Sequence, residues 1–512
     1  MQKPAFISPL VNNTLSKSVC DWIGQHPGRT AVIILFVAAL LTRFLMIHHP
    51  VSAVFDEVHF NYFAGFYYTG QYYYDIHPPL GKLLIALSAW PFGGIAPEDV
   101  VRTISTPYPN TSYIAMRALP AIFGSALPVL LFLIARQLNI GVKSAFVAGA
   151  IAIFDNALLI QSRLILLDAM LLGFGFLSLY LFLIARKSNN ITLWCLSAIF
   201  AGCSFSIKWI GVSFLGLIGL TIIIDWIRQL WKQGWVVLPF YKGSAFLAIS
   251  IVTYMAVFYA HFALLPISHH QGDQFMTPAF RSTLIGSEYE GATTTVYNFH
   301  CPSVYVHTLR YGMPNTEVKP AEETVCKIEY NEPFTAPNFF QKLVELNRTM
   351  YTTNQGLTQT HPDSSPWYMW PLMHKPLYYW YNDGARIYSI GNPAVWWLCT
   401  LAVIGLLLSQ LWFRALRNTE AFWILTVGAC ANLLPFMIVT RVMFMYHYLT
   451  SLCFSMLLTA YLLDKIPLQK YVRRSYLLIL VSGFLMMSPL TYGINWYGSD
   501  MLWFLRFFGW HP

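Results

Sequence analysis

Eleven apolar stretches of 17 to 24 residues recur along the chain, at 30–48, 113–136, 144–160, 165–186, 191–207, 209–230, 243–264, 393–413, 421–440, 445–463 and 475–494. A helix rises about 1.5 Å per residue and a bilayer core is about 30 Å thick, so a crossing needs about 20 such residues. Inside lipid a segment must satisfy its own backbone polar groups, which makes these stretches helices. The spacing predicts an all-α polytopic membrane protein of about 11 transmembrane helices, with close neighbours around Gln161–Arg163 and Lys208. Only 11% of the 512 residues are charged. Soluble proteins carry about 25%, so a water-soluble enzyme is excluded.

Charge placement sets orientation. Lys3, Lys17, Arg29, Arg136, Lys143, Arg186, Lys187, Arg228, Lys232, Lys242, Arg414, Arg417, Lys465, Lys470, Arg473 and Arg474 all flank alternate helix ends. With Met1 cytoplasmic, every one of them lies inside, as the positive-inside rule asks. The net charge of +9 is then a topological signal, and no nucleic-acid partner is read from it. The layout is a cytoplasmic segment 1–29, a transmembrane catalytic region 30–264 with a first outward loop 49–112, a large outward loop 265–392, transmembrane helices 393–494 and an outward tail 495–512. The first span lacks a small-residue cleavage site and reads as a retained helix. Cys301 and Cys326 share the large loop, so a disulfide between them is one reading. No Cys/His spacing points to a metal, and no cofactor is required by the sequence.

The outward loop begins Phe55-Asp56-Glu57-Val58-His59-Phe60. Two adjacent carboxylates just past a membrane helix are costly unless they meet a cation, a polar ligand or water. They read either as a general base with a partner or as a helix start, with Asp56 as N-cap and Glu57 facing the dipole. Further on, His77-Pro78-Pro79 fixes an extended turn before Gly81-Lys82 opens a short interfacial apolar stretch. Lys82 either snorkels toward headgroups or binds phosphate. Nine aromatic residues crowd 60–74 and read mostly as a membrane-surface belt, with sugar stacking as the alternative. Arg117, Arg163, Asp168, Lys208 and Arg441 lie close to outward span ends. Arg163 and Asp168 are near enough to pair across a turn, whereas Arg117 and Arg441 have no local partner. Aimed together, those two arginines would clamp an anion such as phosphate.

The segment 55–60, together with Asp75-Ile76-His77-Pro78-Pro79-Leu80-Gly81-Lys82, resembles the first-loop signature of the protein O-mannosyltransferases. Weaker similarities follow in order at 113–120, 162–168, 275–280, 365–372, 390–397 and 441–449. The resemblance implies the C-type glycosyltransferase (GT-C) fold. It also implies transfer of mannose from a polyprenyl or dolichyl phosphate donor to Ser or Thr of a translocated polypeptide, with inversion. It makes Asp56 the preferred base or acceptor-orienting group, with Glu57 second, and assigns Arg117 to donor phosphate with Lys82, His77 and Arg441 as further donor-site candidates. Residues 285–360 are too few for the β-trefoil domain of eukaryotic members. The compact bacterial form is therefore implied, in the inner membrane with the site outward, the endoplasmic reticulum membrane being the alternative. Two rivals differ in chemistry: a lipid A or other glycolipid glycosyltransferase of the same fold, and a transporter or flippase of a lipid-linked sugar. A transporter would carry its charges near the bilayer midplane, whereas here they gather at the outward ends.

Overall fold

The computed structural model describes residues 21–233, 238–297, 330–412, 419–466, 469–495 and 505–510. Cys301 and Cys326 lie outside these residues. All eleven apolar stretches are helical, and nine of these helices, among the described residues, are long and apolar enough to cross a membrane. The other two departures fall at the close neighbours named above. Val142–Ile153 and Asn156–Arg163 are two helices of one apolar stretch, bent by 58° at a short break, and Ile191–Phe205 is a shorter helix of 15 residues.

The bend has a local cause. Asp155 leaves the helical path and caps the second half, accepting from Leu158 N at 2.9 Å. The carbonyls freed by the break are taken by Arg43, which donates to Ala152 O at 2.7 Å and to Ile153 O at 3.1 Å. A buried guanidinium is costly in lipid, and here it replaces the missing backbone donors. Small residues draw the helices together: a Cβ on Gly124 would sit 2.2 Å from Ser162 Cβ, so Ser112–Gln137 and Asn156–Arg163 touch almost backbone to backbone.

Segments assigned to one side by charge meet one another. On the inward side Asp464 Oδ1 accepts from Gly141 N at 3.1 Å, and Arg186 bridges Asp225 and Glu420. On the outward side Trp380 Nε1 donates to Ser52 Oγ at 2.9 Å, joining the two long loops, and Trp510 Nε1 donates to Met373 O at 2.8 Å. The large loop carries the helix Phe339–Gly356 and an antiparallel hairpin, Leu377–Asn382 with Ala385–Ser389.

The first loop folds as two helices, Glu57–Thr69 and Leu80–Ala89, over the outward ends of the spans. Its aromatic run is not a membrane belt. Phe60, Phe66, Tyr72, Tyr73 and Tyr74 are buried, and Phe63 and Phe66 stack on Tyr73. Rings bury more area in a protein core than at a headgroup surface, and the large loop supplies that core through Met276, Phe280, Leu346 and Met350. The exposed aromatics are Trp90 and Phe92, just past Leu80–Ala89, where an interfacial anchor belongs.

Candidate active site

The paired carboxylates part company at a strained turn. Phe55 has φ 47°, a left-handed conformation unusual for a bulky residue, and its ring is held by stacking on Tyr379 with centroids 4.1 Å apart. The chain then enters the helix Glu57–Thr69. Asp56 occupies the N-cap position, yet its side chain makes no capping bond. Glu57 reaches back instead and accepts from Val54 N at 3.0 Å. One carboxylate is thus spent on structure and the other is left facing space.

Glu57 and Arg117 are each 0% exposed and form a two-pronged ion pair, Nε to Oε1 and Nη2 to Oε2, both 2.7 Å. Glu57 also accepts from Ile165 N at 2.9 Å and from the Tyr108 hydroxyl at 3.4 Å. The remaining Arg117 donors go to Pro50 O at 2.7 Å and Ser52 O at 3.2 Å. With its donors used inside the protein, Arg117 does not offer a donor-phosphate clamp, and Glu57 is not poised as a base. These assignments are replaced by a structural one. The pair pins the first loop to the span Ser112–Gln137 and to the turn at Ile165 that precedes the span Asp168–Ser188.

Lys82 is corrected in the same way. It is 0% exposed and donates to Asp75 Oδ2 at 2.6 Å, His77 O at 2.6 Å and Pro78 O at 2.8 Å. An ammonium has three protons, and all three are used to hold the His-Pro-Pro turn. His77 is carried by that turn into the cavity wall. Burial, then the positive charges of Lys208, Lys82 and Arg441, pushes its imidazole well below the usual histidine range. A neutral imidazole gives a phosphate no fixed charge; His77 lines both chambers. Arg163 and Asp168 do not pair. Arg163 donates to Leu45 O and Met46 O, while Asp168 holds Lys208 at 2.8 Å.

Two chambers open beside this framework. The first, ≈ 370 Å³, is lined by Trp209, Ile210, Phe436, Ile438 and Val439 with the cations Lys208 and Arg441. The second, ≈ 420 Å³, is lined by Asp56, His59, Asp75, Gln359, Thr360 and His361. They meet at a waist of Ile76, His77, Arg441 and Tyr446, which belong to both. Arg441 is oriented there by Asn354 Oδ1 and by His447 Nε2 at 3.1 Å. Lys208 lies 5.2 Å from the centre of the Tyr446 ring. Burial pushes Asp56 up to about 6, against the opposing pull of His59 and Lys208 and with reinforcement from Asp168 and Asp75. Among the described residues no group of three or more His, Cys, Asp or Glu is arranged to hold a metal.

Of the residues expected from sequence, Asp56, His77 and Arg441 therefore reach the cavity, while Glu57, Arg117 and Lys82 stand behind it. Sequence reasoning noted Lys208 but gave it no task. Tyr446, Asn354 and His361 were missed, and the only signal for Tyr446 was its place between Arg441 and His447.

The site can be set beside known proteins. A model described as dolichyl-phosphate-mannose-protein mannosyltransferase matches residues 33–266, and one described as the C-terminal four-span region of protein O-mannosyltransferase matches 339–509. The dolichyl-phosphate-mannose–protein mannosyltransferase 4 of Candida albicans is 34% identical over 54% of this chain and 38% of its own length. That of Schizosaccharomyces pombe is 32% identical over 53% of this chain and 36% of its own. The chain thus spans little more than a third of these two relatives. Mannosyltransferase 1 of Saccharomyces cerevisiae is 24% identical over 90% of this chain and 80% of its own. Among solved structures, the S. cerevisiae protein O-mannosyltransferase Pmt1–Pmt2 complex bound to the sugar donor has TM-score 0.78 at 20% identity, covering 92% of this chain and 91% of that one. The Archaeoglobus fulgidus oligosaccharyltransferase AglB has TM-score 0.51 at 12% identity, covering 95% and 58%. Likeness at such identity speaks for the GT-C fold alone, but the two sequence models match the membrane region on both sides of the large loop and in order: the chain belongs to the protein O-mannosyltransferase family.

Proposed function

We propose that this chain transfers mannose from a polyprenyl or dolichyl phosphate mannose to Ser or Thr hydroxyls of a translocated polypeptide, with inversion, at the outward membrane face. The observation that carries the proposal is the pair of chambers meeting at one waist, one apolar and cationic, the other bearing an ionisable carboxylate without a structural partner. An isoprenoid chain suits the walls of the first, and its phosphate suits Lys208 and Arg441. The second is open to a polypeptide past Gln359 and Thr360, both exposed.

Inversion asks for one in-line displacement. The acceptor oxygen attacks the anomeric carbon from the second chamber, Asp56 takes the hydroxyl proton, and the bond to phosphate breaks toward the first. A phosphate monoester anion leaves without being protonated, so cations suffice on that side and no general acid is needed. Arg441, whose partners Asn354 and His447 carry no negative charge, supplies that charge from the protein itself. Lys208 adds the one proton that Asp168 leaves it, and the reading asks no resident cofactor of the chain. The short segment between the matched regions supports the compact bacterial type, and with it the reading of an inner (plasma) membrane with the site outward.

Purified protein given polyprenyl phosphate mannose and a Ser/Thr peptide is expected to yield a hexose adduct by mass spectrometry. Sugar appearing on lipid, with none on any peptide, would shift the reading to a glycolipid transferase. The raised Asp56 sets the pH dependence. The base works only when ionised, so kcat/KM is expected to fall in acid and rise with pH through about 6. In Asp56→Asn the same acid limb should vanish from the residual rate. A limb near the ordinary carboxylate range, or one that survives in Asp56→Asn, speaks against Asp56 as base.

A further inference from the structure

A third cavity, ≈ 510 Å³ and larger than either chamber, lies between the spans Val212–Gln233 and Glu420–Ala431. It is tied at both ends. At the outward end Ser213 Oγ donates to Asn432 Oδ1 at 2.7 Å. At the inward end Arg186 holds Asp225 at 2.5 Å and Glu420 at 2.6 Å. Neighbouring helices in a membrane ordinarily pack until such a gap closes; here the two ties fix the spans with the gap between them. Its walls are apolar along Leu217, Leu220, Ile224, Trp423 and Val427. From Asp225 to Leu217 the helix runs about 12 Å, the reach of an alkyl chain lying along it.

The inward mouth carries both signs of charge. Arg186 is occupied by its two carboxylates. Arg228 is largely exposed and 3.8 Å from Asp225, and Glu420 binds Arg186 through Oε1 while remaining exposed. A charged mouth above an apolar slot has the chemistry of one phospholipid. We propose that the cleft holds a single glycerophospholipid of the cytoplasmic leaflet bearing a zwitterionic, amine-containing headgroup, namely phosphatidylethanolamine. One acyl chain lies along the apolar wall, the phosphate meets Arg228, and the ammonium donates to Glu420. A phosphatidylglycerol headgroup could also meet Arg228 through its phosphate, but it offers Glu420 only neutral hydroxyls and no cation. A choline has no N–H to give them.

The test uses the purified full chain, stripped of lipid in detergent and offered equal phosphatidylethanolamine, phosphatidylglycerol and phosphatidylcholine under native mass spectrometry. The expected result is one bound phosphatidylethanolamine, enriched about tenfold over phosphatidylglycerol, the scale of one charge-assisted hydrogen bond. Glu420→Gln should remove most of that enrichment, because the charge that holds the ammonium is gone while the amide oxygen still accepts from Arg186 and keeps the spans tied. Leu220→Trp, from the exposed rim, should fill the slot and abolish the bound lipid. Equal occupancy by the three lipids, unchanged enrichment in Glu420→Gln, or full retention in Leu220→Trp would each overturn the assignment. Should Leu220→Trp fail to fold, the Glu420→Gln comparison decides alone.

Discussion

Asp56→Asn is expected to lower kcat/KM for mannosyl transfer by about 10²–10⁴-fold, the usual contribution of a positioned base, while leaving thermal stability nearly unchanged. The side chain makes no capping bond, so the amide removes no structural contact of the helix Glu57–Thr69. Its volume is also that of the carboxylate it replaces. Donor binding, followed by the shift in melting temperature on adding polyprenyl phosphate mannose, should persist, because the cations lining the first chamber are untouched. Glu57→Gln supplies the contrast. It strips charge from a buried pair, and its first effect is expected on folded yield. Full turnover in Asp56→Asn would remove the base assignment, since Glu57 is already committed to Arg117.

Arg117→Ala is expected to destabilise the protein by about 3–5 kcal/mol, the range for breaking a buried pair by deleting one partner. The loss has two sources. Glu57 would remain as an uncompensated carboxylate in a site with no exposure, and Pro50 O and Ser52 O would each lose a donor. Such a change is a large part of an ordinary folding stability of about 5–15 kcal/mol. It should be seen as a lower melting temperature and a smaller folded fraction in detergent. Adding Glu57→Gln to Arg117→Ala is expected to recover part of the loss, because the stranded charge is gone; the recovery is partial because the amide oxygen can serve only one of Val54 N and Ile165 N. A phosphate-binding arginine would behave otherwise. The single variant would be stable with a raised donor KM, and Glu57→Gln would rescue nothing.

The fold was legible because membrane solvation acts segment by segment. A stretch such as 113–136 declares its helix from its own residues. Orientation is an expectation of the same kind, since Arg136 and Lys187 mark a side without needing a partner. The site was half legible. Asp56 could be picked out because a carboxylate beside a membrane demands an explanation. Which of the two neighbours is left without a structural partner was not legible, because that is decided by a guanidinium 60 residues away in sequence. The same blindness hid Asp168 behind Lys208, 40 residues off, and suggested the nearer Arg163 instead. The aromatic run misled for the opposite reason: its composition suits both an interface and a core, and only the packing of Met276 and Phe280 against it decides.

The two chambers have different mouths. One is rimmed by Ile438 and Trp209 among apolar side chains, the other by Gln359, Thr360 and His361. Under the proposed function this division would separate the traffic: a spent lipid carrier would leave past Ile438 and Trp209 and a modified polypeptide past Gln359 and Thr360, so neither would have to clear the other's path.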